Sequence, residues 1–421
     1  MNGEPQPTPR RMRVLHMITR MIVGGAQENT LLTVQGLDRL PEYQVTLVSG
    51  VDRGPEGSLL EQARQTVDLA VIPELARSIN PAADLRALVK LYRLIRQGRY
   101  HVVHTHSSKA GVLGRIAAKL AGTPIIVHTL HSLVFHDYQP RVVNRAWWAI
   151  KKACAPLTDH YISVADAISE KAIAEGIAPA KRFSTVYSGM ELDWFLSFNG
   201  NRTAVRRELG IPAEAPVVGK VARLFPLKGH DQLLDAAPRI AAAHPEVRFL
   251  LVGDGTLHDQ IRARARAAGL EDQFVFTGLI PRERMPEMLA AMDVLVHTSL
   301  REGIARALPQ ALAMGIPCVS VDLDGAPEVV VPGRTGYLVP PRKPDALADA
   351  VAELLSDTGL RAQMGKAGRE LVDPAFRAAT MIQRIGALYQ RLAEEKALAL
   401  DRFDRDHAPP LAGEPRRILG L

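Results

Sequence analysis

An α/β protein built from two doubly wound parallel sheets is the fold class this sequence predicts, and three observations predict it. The chain has 421 residues, enough for two or three domains at the usual ~100–200 residues each. Short β-branched runs alternate with Gly or Pro turns and with amphipathic segments whose apolar residues recur every three or four positions. This alternation runs as far as Val164 and then begins anew, so two series of parallel α/β units fit the length.

Taken in order, Met1 to Arg13 is polar and rich in proline (Pro5, Pro7, Pro9), without the apolar run and small-residue site of a signal peptide, so residues 1–12 read as a loose tail. The first domain, 13–200, has strand-like runs at Val14 to Ile18, Val45 to Val48, Val102 to His104, Ile125 to His128 and His160 to Val164. Asn199, Gly200, Asn201, Gly210, Pro212 and Pro216 break regular structure and mark a linker over 201–215, interrupted by a helix-like Thr203 to Leu209. A second domain, 216–375, follows with strands near Val217 to Val221, Val247 to Val252, Phe274 to Phe276, Val294 to His297 and Cys318 to Val321. Residues 376–400 read as a terminal helix, and 401–421, with Pro409, Pro410 and Pro415, as a second loose tail.

Composition narrows the function classes. Hydrophobic residues make up 47% and charged residues 23%, ordinary for a globular protein, which excludes wholesale disorder. Cys154 and Cys318 are the only cysteines, so neither a disulfide scaffold nor an all-cysteine zinc site is available and a reducing compartment is expected. The formal net charge of +7 is uneven: residues 1–210 hold 26 Lys+Arg against 18 Asp+Glu, and the remainder 26 against 27. A basic first half points to an anionic partner. Direct nucleic-acid binding is disfavoured, because the cations form no dense stripe with interleaved aromatics. No apolar stretch of ~18 residues occurs, so a cytoplasmic protein is expected.

Several motifs could carry chemistry. Gly24 and Gly25 follow the first strand and open a helix, where backbone amides can meet an anion, although a structural tight turn has the same look. His101, His104 and His106 follow one strand and His128, His131 and His136 the next, on the edge where open sheets place ligands. No carboxylate pattern completes a metal set there, so no metal is expected; substrate hydrogen bonding and packing both remain open. Arg223 and Lys228 leave a buried-looking strand together and could converge on a pyrophosphate. Glu302 precedes Gly303 at an apparent helix start, with the amides of Gly303, Ile304 and Ala305 nearby and Gln310 two turns on, roughly the same way round the helix.

Together these residues resemble the retaining nucleotide-sugar glycosyltransferases of family 4. The resemblance rests on Gly24-Gly25, Val103-His104-Thr105-His106, His131, Tyr187-Ser188-Gly189-Met190-Glu191, Ala222-Arg223-Leu224 with Lys228-Gly229, Gly253-Asp254-Gly255, Phe276-Thr277-Gly278, Glu302-Gly303 and Gly336-Tyr337-Leu338-Val339. It implies the GT-B fold, two Rossmann-like domains facing a central cleft, with no cofactor and a nucleotide-diphosphate sugar, UDP- or GDP-linked, as donor. By the same resemblance Arg223 and Lys228 stabilise the leaving diphosphate, Glu302 holds sugar hydroxyls, and His131 orients the sugar or the leaving phosphate. Gly24, Gly25, Ile280, Gly303, Ile304, Ala305 and Gln310 line the donor, and His106 meets a glycan or lipid-linked acceptor. Two departures stand out: Gln310 where the family usually has a ribose-binding glutamate, and Ser188 where asparagine is commoner. Asp322-Leu323-Asp324 matches a metal-binding motif of a different glycosyltransferase fold and reads here as structural.

Arg141 to Lys152 joins four cations to an adjacent tryptophan pair. Either it lies on an anionic membrane surface, as a peripheral contact, or its tryptophans pack inside while its lysines are solvated. Two rival functions stay open: a nucleotide-sugar 2-epimerase of the same fold, which needs acid/base carboxylates, and a catalytically silent nucleotide-sugar-binding protein, suggested by Gln310.

Overall fold

The computed structural model describes residues 11–51 and 57–398; the tail expected over 401–421, and all but the end of that over 1–12, lie outside the described residues. Two parallel sheets account for the strands. The first takes β1 (Met12–Ile18), β2 (Tyr43–Ser49), β3 (Asp68–Val71), β4 (Val102–His106), β5 (Ile125–Leu130), β6 (His160–Ser163) and β7 (Phe183–Thr185) in the order β3-β2-β1-β4-β5-β6-β7. The second takes β8 (Val217–Val221), β9 (Arg248–Val252), β10 (Phe274–Phe276), β11 (Val294–His297), β12 (Cys318–Val321) and β13 (Gly336–Val339) in the order β10-β9-β8-β11-β12-β13. In each sheet the order reverses between the first strand and the fourth, β1 beside β4 and β8 beside β11, and the crevice at such a reversal is where open α/β sheets bind ligands.

Helices cover both faces of the first sheet, so its central strands are apolar throughout. Val14 and Ile18 of β1 pack with Leu31, Val34 and Leu37 of the Gly25–Asp38 helix and with Met381, Ile385 and Leu388 of the Ala378–Glu395 helix. Leu15 and Met17, pointing the other way, pack with Ala110 and Ala117 of the Ser108–Leu120 helix. That helix lies close because Gly114 has no side chain: a Cβ there would sit 2.7 Å from Met17 Sδ and 2.8 Å from Thr105 Cγ2.

The chain divides into two compact units, one of residues 1–189 with 378–421, the other of 190–377. The stretch 201–215, expected as a linker, therefore belongs to the second unit. Its helix, Arg202–Glu208, is begun by Asn201, whose side chain accepts from the Ala204 amide. Arg206, 2% exposed, fixes the helix in place by donating to the carbonyls of Ala291 (3.0 Å) and Ala215 (2.9 Å) and to Asp293 Oδ2 (2.8 Å), which also accepts from the Val217 amide. The Gly and Pro residues that suggested a linker are only the turns at its ends.

In the Arg141–Cys154 helix the packing reading fails, because neither tryptophan is fully buried and one of the two lysines is. Lys151 is buried, with Nζ 3.2 Å from His128 Nε2, and burial together with the nearby Arg115 guanidinium pulls its ammonium down to about 7. Trp148 donates from Nε1 to the Glu175 carbonyl at 2.8 Å. The outward apolar face is made instead by Val142 (77% exposed), Val143 and Ile150, with Ala146, Ala149 and Ala153 between them and Arg141, Arg145 and Lys152 along one flank.

Replacing Arg206 by Ala leaves Asp293 with Arg202 and the Val217 amide but strands the carbonyls of Ala213, Ala215 and Ala291, and leaving buried acceptors unsatisfied costs about 1–3 kcal/mol. Urea unfolding of Arg206→Ala should show a loss of that size, carried by a lower midpoint at unchanged m-value.

Candidate functional site

Polar side chains gather at the ends of the central strands in both units. In the first, parallel pairing sets His16 of β1 beside His104 of β4, and the two-residue period of a strand puts His106 on the same face. His16 and His104 are fully buried and His106 is 1% exposed, facing the Ala378–Glu395 helix, while His131, just past β5, is half-buried. Their nitrogens form one connected series. Thr129 Oγ1 lies 2.6 Å from His104 Nε2, His104 Nδ1 2.5 Å from Tyr389 Oη, and Tyr389 Oη 3.1 Å from His16 Nε2. His16 Nδ1 is 3.0 Å from His106 Nε2, and His106 Nδ1 3.0 Å from His131 Nε2.

Burial keeps these rings uncharged. It alone pushes His16 down to about 3 and His131 to about 4; for His104 and His106 burial, reinforced by the neighbouring histidines, pushes the imidazole well below its ordinary range. His106, expected to meet the acceptor directly, is enclosed with both ring nitrogens engaged, and its contact toward the strand edge passes through His131. His16, His104 and His106 are also the one group among the described residues whose ligand atoms, within 4.8 Å of one another, could hold a metal ion. All six of their nitrogens are occupied in the hydrogen bonds above, so a metal would have to replace a satisfied network.

Gly24 and Gly25 stand where the sequence places them, with Gly25 opening the Gly25–Asp38 helix and the Gly24 carbonyl accepting from the Glu28 amide at 2.9 Å. Ser188 Oγ accepts from Asn29 Nδ2 at 3.1 Å, so the hydroxyl that departs from the commoner asparagine serves to tie its loop to that helix.

In the second unit the loops leaving β8 and β11 bring Lys228 and Glu302 into an ion pair. Gly229 makes the approach possible: its φ of +66° is left-handed, and a Cβ there would lie 1.7 Å from the Thr298 carbonyl oxygen. Glu302 Oε1 also accepts from Ser299 Oγ at 2.9 Å, and the Glu302 amide donates to Asp324 Oδ2 at 2.8 Å. Burial pushes the Glu302 carboxyl up, but Lys228, His297 and Ser299 outweigh it and hold the carboxyl below its ordinary value. Asp324 thus has the structural role its motif was assigned, and its target is the backbone of Glu302.

Neither Asp324, Ser299 nor His297 stood out as a site residue in the sequence. His297 is buried, pushed down to about 3 by burial, and neither ring nitrogen has a hydrogen-bond partner among the described residues; Nε2 is 3.9 Å from Glu302 Oε1. With Ser299, Glu302, Ala305, Ser320 and Asp324 it lines a small pocket. Lys220, also unforeseen, is buried on Thr298 Oγ1 at 2.6 Å, and burial beside Lys228 pulls it down to about 7. Arg223 lies over the Phe225 ring at 5.3 Å, and its carbonyl accepts from His230 Nε2 at 3.0 Å. Ile280 is half-buried in the loop after β10.

One expectation fails here. The helix starts at Ala307 and ends at Ala313, so Gly303, Ile304 and Ala305 are in the loop before it and offer no helix N-terminus. Proline explains the shift. A helix begun at Gly303 would carry Pro309 in its second turn, where the ring clashes with the carbonyl four residues back; begun at Ala307, it has Pro309 in the tolerant first turn. The Gly303 carbonyl instead accepts from the Gly325 amide at 2.9 Å. Glu302 and Gln310 therefore share no helix face, and Gln310 is half-buried on the short helix.

Comparison with known proteins supplies the remaining observations. Residues 24–189 match the model of a glycosyl transferase 4-like domain, and residues 201–371 that of glycosyl transferases group 1. The UDP-Gal:alpha-D-GlcNAc-diphosphoundecaprenol alpha-1,3-galactosyltransferase of Escherichia coli is 27% identical, over 91% of this chain and 97% of its own. A GDP-mannose-dependent alpha-(1-6)-phosphatidylinositol monomannoside mannosyltransferase of Mycobacterium tuberculosis is 30% identical over 70% of this chain and 77% of its own. Among solved structures, Anabaena HepE in complex with UDP-glucose superposes with a TM-score of 0.76 at 24% identity, over 90% of this chain and 100% of that one.

The buried imidazoles make stability depend on acidity. Because their folded pKa values lie below 6.5, the unfolded chain takes up protons below that pH which the folded chain refuses, so stability falls as pH falls toward the folded values. Each of His104 and His106 contributes up to about 1.4 kcal/mol per pH unit. Urea unfolding of the first unit at pH 7.5, 6.0 and 5.0 should show this steep loss, and His104→Gln should make the slope shallower.

Proposed function

Because the chain belongs to the group 1 glycosyl transferases and has their two-domain GT-B fold, we propose that it moves a sugar from a UDP- or GDP-linked donor to a lipid-linked or glycan acceptor, with retention at the anomeric carbon and without a metal ion. The observation that carries this reading is the half-buried Lys228–Glu302 pair in the loops that leave the reversal point of the second sheet. The named relatives support both donor classes and a lipid-linked acceptor: UDP-Gal and a diphosphoundecaprenol-linked sugar for one, GDP-mannose and a phosphatidylinositol mannoside for the other.

Departure of a nucleoside diphosphate concentrates negative charge on the leaving oxygen. Lys228 and Arg223 supply fixed positive charge against it, the task a divalent ion would otherwise perform. Glu302, held as an anion by Lys228 and Ser299, accepts from sugar hydroxyls, and Ile280, Gly303, Ile304, Ala305 and Gln310 complete the donor side. A carboxylate so paired is a poor nucleophile, which agrees with retention by same-face attack in place of a glycosyl-enzyme intermediate. His131 orients the transferred sugar, and Gly24 and Gly25 admit the donor pyrophosphate where it meets the acceptor side.

The basic first unit meets its acceptor at an anionic membrane surface through the Arg141–Cys154 helix, whose apolar stripe and basic flank suit the headgroup boundary. No helix among the described residues is long and apolar enough to cross a membrane. We place the protein at the cytoplasmic face, as a peripheral enzyme.

Two measurements check these readings. Lys228→Ala and Arg223→Ala should each lower kcat for transfer of radiolabelled sugar from UDP- or GDP-sugars by about 10²-fold, the loss typical of one charge-stabilising donor; wild-type activity in both would remove the diphosphate role. In flotation with anionic vesicles, the Val142→Asp/Ile150→Asp variant should stay in the soluble fraction while the wild-type protein rises; equal flotation of the two would end the membrane assignment.

A further inference from the structure

The histidine series in the first unit connects a buried threonine to the one ring nitrogen at its far end that meets no other described residue, His131 Nδ1. A neutral imidazole has one N–H and one lone pair, and a hydroxyl both donates and accepts. Tyr389 is fully buried, and His104 and His16 are the hydrogen-bond partners of its hydroxyl among the described residues, so its hydrogen goes to one of them and it accepts from the other. Six groups in a row, each sharing a single hydrogen with the next, then have only two consistent arrangements, every bond pointing one way or every bond pointing the other. Which one holds is decided at the closed end. Thr129 is 4% exposed, and its hydroxyl has one partner among the described residues, His104 Nε2 at 2.6 Å. Were His104 to donate there, the threonine hydrogen would be buried without an acceptor, a cost that native interiors avoid.

We infer that Thr129 polarises the whole series, so that His131 carries its proton on Nδ1 and presents a hydrogen-bond donor to its ligand. Thr129 Oγ1–H donates to His104 Nε2, and His104 Nδ1–H to Tyr389 Oη. Tyr389 donates in turn to His16 Nε2, His16 Nδ1–H to His106 Nε2, and His106 Nδ1–H to His131 Nε2. Thr129 and Tyr389 are thus positioning residues: neither meets the substrate, and both set what His131 offers to it. The site selects a ligand oxygen with a free lone pair, such as a sugar hydroxyl accepting or a phosphate oxygen, over a group that must donate. Burial of His16, His104 and His106 agrees with their neutrality.

Two-bond ¹⁵N–¹H correlation spectra of the ¹⁵N-histidine-labelled full-length protein report which ring nitrogen is protonated. Wild-type His131 is expected as the Nδ1–H tautomer, against the Nε2–H preference of free imidazole in water. Thr129→Val, which deletes only the polarising hydroxyl, should shift His131 toward Nε2–H, and Thr129→Ser should restore Nδ1–H. Tyr389→Phe cuts a different link and should act like Thr129→Val, so the test survives if either variant fails to fold. Nε2–H at His131 in the wild type, an unmoved tautomer in the folded variants, or a stoichiometric metal bound at these rings would each overturn the inference.

Its catalytic consequence rests on the proposed contact of His131 with the sugar. Thr129→Val should lower kcat for transfer roughly two- to tenfold, the worth of one net hydrogen bond, with KM unchanged. A shifted tautomer with unchanged kcat would uphold the relay and remove His131 from the functional reading.

Discussion

A parallel sheet covered on both faces leaves a polar side chain on its central strands no partner except another polar side chain. Most of what distinguishes this protein follows from that constraint. β1 and β4 meet at the reversal of strand order, and each carries histidine where its neighbours are Leu15, Met17, Val102 and Val103. Burial denies those rings their charge, and pairing gives each nitrogen a partner. The result is a polar thread through an apolar layer, ordered at every link because a single unsatisfied link would cost more than the thread gains.

The second unit solves a related problem with charge. Glu302 is kept ionised in a half-buried loop by Lys228, while Asp324 ties down its backbone and Ser299 shares its carboxylate. Gly229 permits the close crossing of the two loops, and Pro309 fixes where the following helix can begin. Thus the geometry around the carboxylate is set by backbone limits at two residues as much as by the ion pair itself.

Much of this was legible in the sequence, in proportion to how local its cause is. Central strands such as β5 and β11 announce themselves as continuous apolar runs because both faces are covered. Short or edge strands do not: β7, Phe183-Ser184-Thr185, is half-buried throughout, and β3 begins with an exposed aspartate. Lys228 and Glu302 stood out because motifs of fixed spacing carry them. His16 did not, since a lone histidine amid Leu15 and Met17 looks like packing and the tyrosine that explains it is 373 residues away. Lys151 looked like a surface cation because nothing nearby in sequence reveals that His128 receives it. The apparent helix start at Gly303 misled because glycine and proline gave conflicting signals and proline's steric rule prevailed.

Tyr389 also fixes an order of events during synthesis. The second unit is one uninterrupted stretch, and all of it leaves the ribosome before the Ala378–Glu395 helix does. The first unit, although made first, has a face of its sheet uncovered and two histidines without their shared hydroxyl until almost the last described residues emerge. It must hold that face open, or lend it to a chaperone, while a whole second core forms downstream. The unit made first is therefore the one completed last, and any pause late in translation leaves its apolar groove exposed.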